Sequence, residues 1–261
     1  MVLKDVYFVK RRTDRSLSQF KDYWINEPVK TVENVAANEP GLIKSVVTIV
    51  LPQNNQAEMP IDGYLQVYFN PKTHFPEQGP ELYQKAVGDM VKSGTDFIDF
   101  SKGMINPVTG DVFSRIYLEE HVLFDKGFAN LKTKSVNFAK RRDGMSFKAF
   151  KYYWLNEHSK VVKNVAANNP GLLKSVVSIV VPRENQEELP IDGMVEAYID
   201  PKRHFPFTGE KGSEDFQRAM EMLRADEPRF IDFSKCPTNP ITDKPIKFYA
   251  EEYTIFERKS S

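Results

Sequence analysis

Residues 6–76 return at 136–206 with a constant offset and about three residues in five identical, so whatever this chain folds into is built twice. Lys21-Asp-Tyr-Trp-Ile-Asn-Glu-Pro28 reappears as Lys151-Tyr-Tyr-Trp-Leu-Asn-Glu-His158, and Pro71-Lys-Thr-His-Phe-Pro76 as Pro201-Lys-Arg-His-Phe-Pro206. After a small insertion, Phe97-Ile-Asp-Phe-Ser-Lys102 answers Phe230-Ile-Asp-Phe-Ser-Lys235. Two long copies do not make a solenoid, whose units run roughly 20–50 residues and need at least three repeats. The reading is a duplicated domain, 1–127 followed by 128–261.

The charges of the chain, 36 basic and 36 acidic, cancel. Nothing therefore draws it toward phosphate backbones, and nucleic acid is not expected as a partner. The clusters Lys10-Arg-Arg12 and Lys140-Arg-Arg142 sit where a strand meets a turn and read as solvated turns. No apolar run approaches the ~18 residues of a membrane span, and the start lacks the features of a signal peptide, so the expected location is cytoplasmic. Cys236 is the only cysteine, which excludes an internal disulfide and a cysteine-built metal site.

Each copy reads as β-α-β-β-α-β. Val6-Tyr-Phe-Val9 starts an alternating strand, and Ser16-Leu-Ser-Gln19 is a capping box that opens a helix. Phe20, Trp24, Val32 and Val35 keep helical spacing, as do Phe150, Trp154, Val162 and Val165, so both tryptophans face inward. Pro40-Gly41 and Pro170-Gly171 end those helices, and the runs from Ser45 to Val50 and Ser175 to Val180 are buried strands. Residues 63–69 supply a third strand, Pro80 to Lys92 a second helix, and residues 114–124 a fourth strand. This order is the ferredoxin-like split βαβ unit, whose open sheet face needs a cover. The expected fold is α+β: two such repeats packed sheet to sheet as a pseudo-dimeric α+β barrel within one chain, with further homodimerisation left open.

Ser146-Phe-Lys-Ala-Phe150, Tyr153-Trp-Leu-Asn-Glu-His158 and Pro170-Gly-Leu172 together resemble the EthD family of dimeric α+β barrels. Relatives in that superfamily include polyketide-tailoring decarboxylases, dehydratases and cyclases, muconolactone isomerases and, more distantly, haem-dependent monooxygenases and peroxidases. The resemblance implies a small hydrophobic pocket without metal or organic cofactor.

His158 is the leading candidate for catalysis, because a neutral imidazole near pH 7 is a natural acid or base. Pro28 occupies its place in the first copy and predicts a helix break there, which would put His158 at a helix junction. Tyr153 and Asn156 would orient substrate oxygens. His121 shares a strand face with Tyr117 and Glu119 by the two-residue alternation, and that cluster could polarise a phenol or carbonyl. His74 and His204 lie in the Pro-Lys-X-His-Phe-Pro segments, and both are counted with the binding residues although fixing a loop suits them well. Trp24, Trp154, Tyr23, Tyr68 and Tyr198 would supply an aromatic lining with phenol donors.

No phosphate loop, nucleophile elbow or carboxylate-rich metal motif appears, and proton transfer is the chemistry that remains. The expected function is a cofactor-free lyase, cyclase or isomerase step on a small aromatic or polyketide-like molecule. The alternatives are a haem-dependent monooxygenase or peroxidase and a non-catalytic carrier of a small hydrophobic ligand.

Overall fold

A computed structural model describes residues 2–52, 59–73, 85, 88–89, 92–102, 104–105, 112–113, 115–182, 189, 191–238 and 244–258. In chain order the long elements are β1 (Leu3–Val9), α1 (Leu17–Asn38), β2 (Leu42–Val50) and β3 (Gly63–Phe69), then the short β4 (Met104–Ile105) and β5 (Val112–Phe113), then β6 (Arg115–Asp125). The second series is β7 (Thr133–Ala139), α2 (Phe147–Tyr152), a π-helical turn (Tyr153–His158) and α3 (Ser159–Asn168). It continues with β8 (Leu172–Val180), β9 (Gly193–Ile199), α4 (Phe205–Thr208), α5 (Glu214–Asp226) and β10 (Lys247–Glu257). The second helix read at Pro80 to Lys92 falls largely outside the described residues.

The chain is α+β and divides into two compact units that are not contiguous in sequence. The first comprises Met1–Ile105, Gly110–Glu119 and Glu251–Ser261; the second comprises Asn106–Thr109 and Glu120–Ala250. The strands β6 and β10 are thus each split between the units. In the first unit the sheet order is β6, β1, β3, β2, β10, and in the second β10, β7, β9, β8, β6. β1 pairs antiparallel with β3 and with β6, and β2 with β3. β9 pairs antiparallel with both β7 and β8 in the same registers, offset by 130 residues. Leu42/Lys44 and Leu172/Lys174 carry the same register shift, so even the irregularities of the sheet are duplicated.

The capping box at α1 forms as read: Gln19 N–H donates to Ser16 Oγ, and Ser16 N–H donates to Gln19 Oε1. The end of α1 is held by Arg258, which donates to the carbonyls of Ala36 and Leu42; in the second unit Lys126 donates to Ala166 at the end of α3. These cations sit where a helix C-terminus leaves carbonyls unpaired and its dipole is negative. In the first unit the helix-facing core gathers Phe20, Trp24, Val35, Val47, Leu65 and Val67. In the second unit Phe150, Trp154, Val177, Ile179 and Phe230 form its counterpart, and Val165, Leu172, Ile199 and Phe216 a neighbouring cluster.

One expectation about the backbone fails. Pro28 does not break its helix: α1 runs through it as a single 22-residue element, with Pro28 buried. Burial of the stripe from Phe20 to Ala36 outweighs the one backbone donor that proline removes. The irregularity sits instead in the second copy, where Tyr153–His158 forms a π turn between α2 and α3. His158 is its last residue and so does occupy a junction. A single π turn inside an α-helix reorients the side chains around it, and such turns recur at functional sites.

Candidate active site

Small side chains make the space. On the helix-facing side of the second unit's sheet stand Ser135 and Ala139 of β7, Ser175 of β8 and Ala197 of β9, and together with Trp154 and Leu172 they line a cavity of about 380 Å³. The same positions in the first copy hold Asp5, Val9, Ser45 and Val67, and Asn137 and Val195 of the wall are replaced by Tyr7 and Leu65. Val9, Leu65 and Val67 are buried in the first unit's core with Tyr7 packed against them. Five of these six positions carry a larger side chain in the first copy.

His158 is 5% exposed and lines this cavity. Its Nδ1 lies 2.8 Å from Asp226 Oδ2 at the end of α5, while Tyr153 Oη donates to Asp226 Oδ1 at 2.6 Å. The imidazole packs on Phe230, ring centroids 4.8 Å apart, and Phe230 also touches Tyr153, Trp154 and Phe150. Burial lowers the His158 pKa and the Asp226 carboxylate opposes that effect without reversing it. For Asp226 the balance runs the other way: burial favours the acid, but hydrogen bonds from Tyr153 and His158 together hold the pKa below the ordinary value. Burial and the adjacent carboxylate raise the Tyr153 phenol, which stays a donor.

These directions assign the protonation. A carboxylate only accepts, so the Asp226 contact places hydrogen on His158 Nδ1 and leaves the Nε2 lone pair without a protein partner among the described residues. An oriented, neutral imidazole with an open Nε2 is a general base, the arrangement that a carboxylate imposes on histidine in hydrolytic triads.

A second polar group on the wall is built around His204, 7% exposed. Gly171 N–H donates to Asn169 Oδ1 at 3.1 Å, which turns the amide nitrogen toward His204 Nδ1 at 3.0 Å. Nδ1 therefore accepts and Nε2 carries the hydrogen. Burial, with help from the Lys247 charge, lowers His204 to about 4, so it is a neutral donor at physiological pH.

Of the residues singled out in the sequence, the structure brings His158, Trp154 and His204 to the cavity, with Tyr153 behind them as the second donor to Asp226. Asn156 is exposed and its amide donates to the Tyr152 carbonyl of its own helix, away from any substrate position. Tyr117, Glu119 and His121 share a face of β6 and are half-buried, but the unit boundary passes between Glu119 and Glu120 and none of the three lines the cavity. Tyr23 and Trp24 lie in the first unit's core, Tyr23 stacked on Phe97 at 4.1 Å and Trp24 on Phe20 at 5.8 Å. The Lys4 ammonium lies over the Tyr68 ring, and those of Lys134 and Lys174 over Tyr198, 5.4–5.8 Å from the ring centroids, away from the cavity wall. His74 lies outside the described residues.

Sequence reasoning missed Asp226, Asn169, Glu227 and Lys247. The signal was present in the repeat: where the second copy has His158 and Asp226, the first has Pro28 and Ser93, so both members of the pair differ together. Glu227 and Lys247 similarly face Gly94 and Arg115, and Asn169 faces Glu39. Among the described residues, no group of three or more His, Cys, Asp or Glu could hold a metal ion, and no helix is long and apolar enough to cross a membrane.

An antiparallel sheet carrying helices on one face, with a mostly apolar cavity and the His158–Asp226 pair at its wall, gives an α+β domain with space for a small molecule. Residues 142–234, within the second copy, match the family model described as the EthD domain. The solved structure titled "Crystal structure study of anthrone oxidase-like protein" is similar over 100% of this chain and 95% of that chain, with 12% identity and a TM-score of 0.48. No curated protein matches the chain significantly.

Proposed function

We propose that the chain is a tandem of two ferredoxin-like EthD-type repeats, 1–127 and 128–261, in which the second carries a cofactor-independent acid–base site. The reaction is a lyase, cyclase or isomerase step on a small aromatic or polyketide-like molecule. The observation that carries this reading is the His158–Asp226 pair, with an open Nε2 at the wall of a mostly apolar cavity. Trp154 supplies the aromatic wall for a flat substrate, and its partner Phe230 holds the His158 ring in place. His158 Nε2 takes a proton from a carbon beside a carbonyl or from a phenol, and Nδ1–H remains on Asp226, which stabilises the imidazolium as it forms. The Nε2–H of His204 is available to a substrate oxygen that gains charge in that step. Tyr153 is a positioning residue, acting through Asp226.

The test pairs binding with chemistry. A panel of small aromatic ketones and phenols is incubated with the protein and products are followed by mass spectrometry, while ligand binding is read from the Trp154 indole N–H resonance, which wild type and variant share. His158→Ala is expected to bind the same compounds and to lose turnover by at least ~100-fold, the typical contribution of a positioned acid or base. Unchanged turnover in the variant refutes the assignment.

A further inference from the structure

Alternation along β10 buries Phe248 and Ala250 on one face and turns Lys247 and Tyr249 to the other, the face that packs against the helices. Lys247 lines the cavity there, and so does Glu227, the residue after Asp226. Among the described residues neither side chain makes a hydrogen bond or an ion pair within 4 Å, with each other or with any third group. A lysine and a glutamate in one apolar cavity, too far apart to close an ion pair, leave a gap that a ligand atom can bridge. The first copy lacks both, with Gly94 and Arg115 at these positions, just as it lacks both His158 and Asp226. Ordinary solvated surface would not require the two to differ together with the catalytic pair.

We infer that Glu227 and Lys247 form a carbonyl-capturing site, in which the Lys247 amine adds to a ketone or aldehyde group of the substrate and Glu227 moves the protons. This rests on the reading that the cavity takes small aromatic molecules, and it names their reactive group. The Lys247 nitrogen lone pair forms the C–N bond while the carbonyl π pair goes to oxygen, which takes the Glu227 carboxyl proton. Glu227 then removes a proton from nitrogen, returns it to the hydroxyl, and water leaves as the C=N bond forms. The iminium so formed gives its remaining N–H proton to the Glu227 carboxylate, which restores the acid, and the balance is amine plus carbonyl to imine plus water. The environment suits the cycle. Lys247 keeps accessible surface, as a residue on an open cavity wall does, yet the protein around its amine is dense enough for desolvation to lower its pKa, against the attraction of Glu227. Burial likewise raises Glu227, against Lys247. Both shifts favour the uncharged amine and the protonated carboxyl that the first step needs.

The test is reductive trapping on the full chain. Benzaldehyde and 2-naphthaldehyde are each supplied with sodium cyanoborohydride at pH 7, and the sites of modification are read by peptide mapping. In the wild-type protein Lys247 is expected to be labelled faster than any surface lysine, since a lowered pKa raises the uncharged fraction of an amine. Lys247→Arg, which installs the residue the first copy has, abolishes that label, and Glu227→Gln slows it. His158→Asn keeps it, which separates this site from the acid–base reading. Because the wild-type map alone decides the matter, a misfolded variant does not obscure the result. Labelling spread over surface lysines with Lys247 at or below their level, or no label at Lys247, overturns the inference.

Discussion

Replacing Asp226 by Asn removes one charge and leaves the shape, and its consequences for His158 can be worked out from the structure. The 2.8 Å contact is a hydrogen bond between a carboxylate and an imidazole on the cavity wall. Hydrogen bonds to charged groups contribute about 1.5–3 kcal/mol. Because about 1.36 kcal/mol is a tenfold change in proton affinity, the variant's imidazole should bind a proton roughly ten- to a hundredfold more weakly than the wild type's. The sign follows from the opposing causes: burial already lowers the His158 pKa and Asp226 is what holds it up, so taking the carboxylate away moves the midpoint further down. The amide introduced by Asp226→Asn can also donate to Nδ1, which would shift hydrogen to Nε2 and convert the base into a donor. Nitrogen-15 NMR of the four histidines reads both the midpoint and the tautomer directly. The wild type should show the Nδ1–H form and a midpoint below 6.5, the ordinary histidine value, and the variant a lower midpoint with a changed tautomer. A midpoint that stays in place or rises, with Nδ1–H retained, would mean that Asp226 does not govern this imidazole.

Further consequences are as concrete. Burial keeps His204 neutral down to about 4, so the unfolded chain takes up a proton below pH 6.5 that the folded one refuses. Its contribution should therefore remove about 3 kcal/mol of stability between pH 6.5 and 4, a slope that His204→Gln abolishes in urea melts across that range. At Gly171 an added Cβ would meet the His204 backbone nitrogen at 2.1 Å, and neither chain can yield cheaply. Gly171→Ala should cost on the order of 2–4 kcal/mol, within the range of backbone clashes, and lower the melting temperature by several degrees. Lys134 and Glu196 form a fully buried pair at 2.6 Å. Lys134→Met alone should cost about 3–5 kcal/mol by removing the buried charge opposite the carboxylate, and adding Glu196→Leu should recover much of it in the same denaturation assay.

Most of the fold was legible because its signals are local. The capping box at Ser16, the helical spacing from Phe20 to Val35 and the β-branched runs that became β2 and β8 each report on a few neighbouring residues. The π turn at Tyr153–His158 was not legible, since one extra residue in a helical turn barely disturbs the apolar period. Pro28 misled for the opposite reason: a strong local rule gave way to tertiary packing. In the site, His158 stood out by its motif, but its partner Asp226 is 68 residues away and joins it only through the packing of α5 on α3. Tyr23 and Trp24 entered the expected lining as aromatic residues that recur in both copies, but they pack in the first unit's core. Tyr7, Leu65 and Val67, all larger than the residues that face them across the repeat, already marked the first unit's core as differently packed.

The claim that His158 moves protons on a bound aromatic carbonyl compound is tested most directly by solvent exchange. α-Tetralone is incubated with the protein in deuterium oxide, and deuterium uptake beside the carbonyl is followed by NMR for wild type and His158→Ala at equal ligand occupancy. Exchange well above the buffer rate in the wild type, lost by at least ~100-fold in the variant while binding is retained, is the expected result. Equal exchange rates in the two proteins, with the ligand bound in both, would contradict the account.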